Sequence, residues 1–169
     1  MKDRIVELRR VKASELAPNP KNWREHPDIQ KSALRAVLEE VGIADALIAY
    51  NSDRAGGALT LIDGHLRRDE EPDTEWPVLV LDLTDDEADK ILATLDPLAS
   101  LATTNLEALT DLLESVDAKR PELEDFLSQL AESEGIEPPD FQPAGIDDQS
   151  RLDEKAPIQC PACGHEFTR

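Results

Sequence analysis

The sequence predicts an α/β protein in which a small mixed sheet is flanked by helices. Short apolar runs typical of strands alternate, through the first hundred residues, with segments whose apolar residues recur every three or four positions. In LTLIDGHLRRDE (59–70) a strand-like run is followed at once by a glycine and a helical segment. Acidic helices and a disordered tail are expected after this part of the chain.

Three regions carry strand signals. In RIVELRRV (4–11), Val6 and Leu8 alternate with polar residues, as in a half-buried strand. The runs at 44–50 and 56–63 are joined by NSDRAGG and predict a hairpin, and WPVLVLDL (76–83) predicts another strand.

Helix signals separate these strands and follow them. One helix is predicted from Asp28 to a C-cap at Gly42, and a short helix begins at His65 and ends before Pro72. Capping boxes formed by Thr84 with Glu87 and by Thr104 with Glu107 predict two further helix starts. Pro121 marks the start of the last predicted helix. By composition we divide the chain into an α/β domain (1–98), an acidic helical segment (99–134), a disordered linker (135–158) and a cysteine knuckle (159–169).

Net charge is distributed unevenly along the chain. The total is −19, yet residues 1–70 hold 12 Lys or Arg against 12 Asp or Glu, so all of the excess lies later. One interpretation is that the acidic part is an ordinary solvated surface and tail. The alternative is that the N-terminal part keeps its bases to bind an anion, while the acidic part repels nucleic acid from the rest of the surface. No run of about 20 apolar residues that could cross a membrane is present, and the N-terminus lacks a signal peptide, so the cytoplasm is expected.

The corner at Gly64 is the main candidate site. Free N–H groups at the start of a helix attract anions, and Arg67 and Arg68 follow in the first turn, where cations are unfavourable unless something negative is bound. The simpler alternative is that both arginines pair with neighbouring acids, namely Asp69, Glu70 or Glu71.

A family resemblance favours the anion site. The order PNPKNWREHP, helix, strand, IDGHLRR, helix, VLVLDL, over about residues 5–95, resembles the N-terminal domain of the ParB/sulfiredoxin superfamily, above all ParB-like proteins of bacteriophages and mobile elements. By this resemblance Gly64, His65 and Arg67 match a phosphate-binding turn, and Asn22 and Arg24 match the loop over the nucleotide. The resemblance implies CTP or ATP with Mg²⁺ as ligand, in a bacterium or a phage-infected host.

Two departures from the family limit its functions here. Sulfiredoxins resemble this turn but carry a catalytic cysteine after the glycine, where this chain has His65, so that activity is excluded. Chromosome-partitioning ParB proteins carry a basic helix-turn-helix domain, whereas residues 104–134 hold nine acids and two bases. Such a segment is not expected to dock on a phosphate backbone.

Enzymatic activity is left open, either as hydrolysis of CTP or ATP or as a Mg²⁺-dependent nuclease. Asp63, with Glu70 and Glu71 nearby, is the candidate Mg²⁺ ligand. His65 is the candidate general base, although donating a hydrogen bond to phosphate is the simpler role. Trp23 and Trp76 are most simply core residues, and the alternative for Trp23 is stacking on a base.

The C-terminal CPACGH resembles half of a zinc ribbon. Cys160 and Cys163 have the spacing of a zinc knuckle, and His165 is a candidate third ligand, with His26 as the alternative. The fourth ligand would come from a second protomer or a partner; the alternatives are an unmetallated tail and a redox dithiol.

The sequence therefore predicts a protein that binds nucleotide or nucleic-acid phosphate in phage or mobile-element DNA metabolism. The alternative is a regulatory or scaffolding subunit of a DNA-packaging or DNA-modification complex, which docks a basic partner through its acidic helices and tail.

Overall fold

The computed structural model describes residues 1–136, 158–159 and 166–167. Its strands are β1 (Ile5–Lys12), β2 (Leu47–Ser52), β3 (Ala58–Asp63), β4 (Glu75–Leu81), β5 (Ile158–Gln159) and β6 (Glu166–Phe167). Its helices are α1 (Asp28–Glu40), α2 (His65–Glu70), α3 (Asp85–Ser100), α4 (Leu106–Ser115) and α5 (Pro121–Ser133). Short 3₁₀ turns follow β1 and β2.

The main sheet has four strands in the order β1-β4-β2-β3. β2 and β3 form the expected antiparallel hairpin, β2 and β4 are parallel, and β1 and β4 are antiparallel. The predicted fold class, a small mixed sheet with flanking helices, is confirmed. Because β4 lies between β1 and β2, the α2 crossover joins β3 to a strand that is not its neighbour.

Side chains from the sheet enter two cores because successive strand residues point to opposite faces. Trp76, Val78 and Val80 of β4 join one core, against which Leu38 of α1 packs. The other face carries a smaller core. It consists of Tyr50, Ile62, Ala88 and Leu92, the last two from α3. The sheet therefore separates α1 from α3, and the prediction that Trp76 is a core residue is confirmed.

Strand β1 forms where the sequence predicts it, but the predicted burial is wrong. Val6 and Leu8 are 62% and 64% exposed. β1 is an edge strand with a register shift between Ile5 and Glu7, and Leu8 lies opposite Leu79 on β4. Alternating residues indicate a strand but do not determine whether another layer covers it.

The sequence predicts two capping boxes, and the structure contains one of them. Thr84 and Glu87 form the reciprocal capping box that the sequence predicts. The box predicted at Thr104 is wrong, because Asn105 caps α4 and its side chain accepts from Ala108 N at 3.1 Å. The helix starts one residue later than expected, so Glu107 cannot reach back to a cap. α5 opens with Pro121 as predicted.

The C-terminal part is described only at two short strands. Ile158 and Gln159 pair antiparallel with Phe167 and Glu166, on either side of the sequence CPACGH. The predicted disordered linker falls largely outside the described residues. No helix in the described part of the chain combines the length and apolarity needed to cross a bilayer.

The ion pair between Arg4 and Glu87 links the start of the chain to α3 and gives a pH prediction. Arg4 Nη1 and Nη2 donate to the Glu87 carboxylate at 2.8 and 2.7 Å. The hydrogen bonds from Arg4 and then from the Thr84 backbone lower the pKa of Glu87 from 4.5 to about 2. Since the folded pKa is depressed, this stabilisation is complete above pH 4.5 and is lost as pH falls through about 2.

We expect Glu87→Gln to be less stable than wild type at neutral pH and to lose less stability than wild type as pH falls from about 4.5 to about 2. Urea unfolding at several pH values measures this difference. Glu132→Gln, on an exposed part of α5, removes a carboxylate that contacts no cation among the described residues and should leave the wild-type pH profile. Parallel pH profiles for Glu87→Gln and wild type would contradict the prediction.

Candidate functional site

One cleft of about 470 Å³ collects every residue that the sequence assigned to phosphate or nucleotide binding. Those residues are Asn22, Arg24, Gly64, His65 and Arg67, and the candidate Mg²⁺ ligand Asp63 lines the same cleft. The loop before α1 forms one wall and the corner between β3 and α2 forms another. Residues of α1, α3 and α5 and of the connection after α1 also line the cleft. The loop before α1 and the Gly64 corner are thus more than thirty residues apart in sequence but line the same cleft.

Gly64 makes the corner between β3 and α2. Its φ is +99°, in the left-handed region that L side chains rarely adopt. A Cβ added there would lie 2.3 Å from Leu47 Cδ2, and Leu47 is fully buried. Backbone conformation and close packing both require glycine, so the chain can turn directly from the sheet into α2.

Arg67 is held at the cleft by two carboxylates. Nη1 pairs with Asp45 Oδ2 and Nη2 with Asp63 Oδ2, both at 2.6 Å, and the side chain is 15% exposed. Arg68, outside the cleft lining, instead donates to Leu16 O at 2.9 Å and pairs with Asp69. The conflict expected between these cations and a helix start does not arise, because α2 has only six residues and both arginines lie in its last turn.

His65 is the most buried polar side chain of the corner, at 8% exposure. Its Nε2 accepts a hydrogen bond from the Asn19 backbone N–H at 3.1 Å, so the neutral ring carries its proton on Nδ1. Burial lowers the pKa of His65 below its ordinary value, against the opposing effect of Asp63. His65 is therefore neutral at pH 7 and attaches the loop before α1 to the corner.

The loop contributes a cation and an aromatic ring. Trp23 is 57% exposed, so the expectation that it is a core residue is wrong. The ring is nevertheless fixed, because Nε1 donates to Leu92 O at 3.4 Å and the Arg24 guanidinium lies 5.4 Å from the ring centroid. Arg24 also pairs with Asp96 of α3 at 2.9 Å. Trp23 offers a flat apolar surface beside a positive charge.

Of the three carboxylates proposed for Mg²⁺, only Asp63 lines the cleft. Glu70 pairs with Arg35 of α1. No group of three or more His, Cys, Asp or Glu within the described ranges is arranged to hold a metal ion. Cys160, Cys163 and His165 lie outside the described residues.

Two acidic residues of the site have no signal in the sequence. Asp45 and Asp96 come from separate segments, and each pairs with a cleft arginine. With Asp63 they give the cleft three carboxylates against the guanidinium groups of Arg24 and Arg67. Ion pairs between distant segments depend on the fold, so no local pattern could have indicated them.

Comparison with known proteins gives matches only among solved structures. No family model and no curated protein matches the chain. The C-terminally truncated chromosome-partitioning protein ParB from Caulobacter crescentus, complexed with CTP-gamma-S, is similar over 78% of this chain and 72% of that chain, with 18% identity and a TM-score of 0.49. The same protein complexed to the centromeric parS site is similar over 75% and 70%, with 14% identity and a TM-score of 0.40.

Substitution of Gly64 tests the corner. Gly64→Ala combines left-handed strain with a clash against buried Leu47, and we expect a loss of about 2–5 kcal/mol of unfolding free energy. Gly42→Ala is the matched control, since Gly42 also has positive φ but has no atom within 4 Å of an added Cβ. It should cost about 1–2 kcal/mol. Equal losses in urea unfolding would contradict the role of Leu47.

Proposed function

We propose that this protein binds a nucleotide in the cleft, as part of phage or mobile-element DNA metabolism. One observation carries the proposal: the Gly64 corner, two arginines and an exposed tryptophan all line one cleft of about 470 Å³. Small-molecule sites have volumes of about 300–1,000 Å³ and mostly apolar linings with a few polar groups. This combination suits a ligand with a flat ring at one end and phosphate at the other.

Each group has a defined role in this proposal. The base stacks on Trp23, whose ring Arg24 and Leu92 hold in place. Phosphate oxygens bind at Arg67 and the Gly64 corner. His65 Nδ1–H is available as a donor, because Nε2 is already used by Asn19 and Nδ1 has no partner among the described residues.

The charge of the cleft favours a nucleotide complexed with Mg²⁺. Three carboxylates against two guanidinium groups give a net negative lining, which opposes a free triphosphate. Mg²⁺ is typically bound by one or two protein carboxylates in addition to phosphate oxygens, and Asp63 alone can meet that requirement. When bound, the cation would neutralise part of the charge on the phosphates.

Nucleic-acid phosphate is a less suitable ligand than a free nucleotide. Binding a polynucleotide backbone requires several cations that can neutralise successive phosphates. Here both arginines of the cleft are paired with carboxylates, and Lys21 near the cleft is paired with Asp89 at 2.6 Å.

Removal of Arg67 tests the proposal. CTP or ATP with Mg²⁺ should raise the thermal unfolding temperature of wild type, and Arg67→Ala should reduce this rise to near zero because the phosphate loses its charged partner. The rise is measured relative to the ligand-free form of each variant. Arg9→Ala, on the exposed strand β1 and far from the cleft lining, should keep the full rise. Equal rises for Arg67→Ala and wild type would refute phosphate binding at this corner.

A second candidate function is docking of a basic partner on α4. Leu106, Leu112 and Val116 are 50%, 57% and 42% exposed, among the acids Glu107 and Asp111. Exposed apolar residues within acidic surroundings suit a partner with apolar and basic side chains. A wild-type protein whose unfolding temperature responds to neither nucleotide, but which binds a partner through residues 104–169, would favour this function.

We also propose that Cys160, Cys163 and His165 bind Zn²⁺. The pairing of β5 with β6 supports the proposal, because it places the two ends of the six-residue segment that carries these ligands opposite each other. The missing fourth ligand would come from a second protomer or a partner.

Elemental analysis of the purified full-length protein should find zinc, and the double variant Cys160→Ser with Cys163→Ser should contain none. His26→Ala is the control: it removes another histidine, whose Nδ1 lies 2.9 Å from Gln30 Oε1, and should retain zinc. Zinc absent from wild type after purification with added zinc would contradict the proposal.

A further inference from the structure

We propose that Asp45 sets the affinity of the cleft by competing with the ligand for Arg67. This inference rests on the proposed nucleotide binding and adds the residue that competes with an anionic ligand. The phosphate takes the position of Asp45 on Nη1, while Asp63 keeps its hold on Nη2.

The state of Arg67 favours such an exchange. Both Nη atoms are already bonded to carboxylate oxygens at 2.6 Å, and the side chain is 15% exposed. Although three of the five guanidinium N–H groups are not used in these two bonds, both carboxylates repel an incoming phosphate. Replacing one of the carboxylates by phosphate removes that repulsion and gives the ligand a bond from Nη1.

Asp45 is the partner that can leave. Its side chain is 76% exposed, whereas that of Asp63 is 34% exposed. Asp45 belongs to the connection between α1 and β2, outside regular secondary structure. Asp63 ends β3, is opposite Ile48 in the sheet and directly precedes the constrained Gly64. Exposed ion pairs are weak because water solvates both partners, so the Asp45 bond is the weaker of the two.

Release leaves Asp45 with favourable interactions. Its Oδ1 accepts a hydrogen bond from Ala46 N at 2.7 Å, and this bond does not depend on Arg67. The freed Oδ2 can be solvated because the side chain is mostly exposed. Asp63 stays paired with Arg67 and keeps the guanidinium at the cleft, so the Arg67 side chain does not have to change its position when the ligand binds.

The test compares nucleotide affinities of variants of the full-length chain by titration calorimetry. Asp45→Asn removes the competing charge with little change of shape, and we expect it to bind CTP or ATP with Mg²⁺ about two- to fivefold more tightly than wild type. Asp73→Asn changes the net charge equally in an exposed ion pair with Lys12 and should bind as wild type does.

The outcomes separate this inference from the function on which it rests. If wild type binds and Asp45→Asn binds equally or more weakly, the competition is refuted and nucleotide binding stands. An equal gain in Asp73→Asn would assign the effect to net charge and also refute it. If wild type binds neither nucleotide at millimolar concentration, both proposals fall.

Discussion

The left-handed backbone at Gly64 is the constraint on which the cleft depends. With φ at +99° and no space for a Cβ beside Leu47, the chain leaves the sheet at a fixed angle and starts α2 at once. This start puts His65 in reach of Asn19 and puts Arg67 between Asp45 and Asp63. The conformation of Gly64 therefore allows the corner to contact both the loop before α1 and the connection between α1 and β2.

Charge pairing occupies both arginines of the cleft in this acidic protein. The chain carries −19 overall, and each arginine of the cleft is matched by at least one carboxylate. The same pairing weakens the attraction of the cleft for polyanions, because the carboxylates offset the positive charge of the guanidinium groups.

Most helices and strands could be predicted because their signals are local. The Thr84 capping box, Pro121 and the β2 to β3 hairpin each depend on residues close in sequence. Errors occurred where burial depends on the rest of the molecule. Leu8 has the alternation of a half-buried strand but lies on an uncovered edge, and Trp23 is aromatic yet mostly exposed.

The sequence by itself determined the order of strands and helices, the need for a turn at Gly64, and which cations lie near it, because backbone preferences and amphipathic periods act over a few residues. Only the tertiary structure decided what those cations contact. Asp45 reaches Arg67 and Asp96 reaches Arg24 across separations that no local pattern encodes. Ion pairs form between whatever groups the packed elements bring within a few ångströms, so the electrostatics of the site emerge only with the fold.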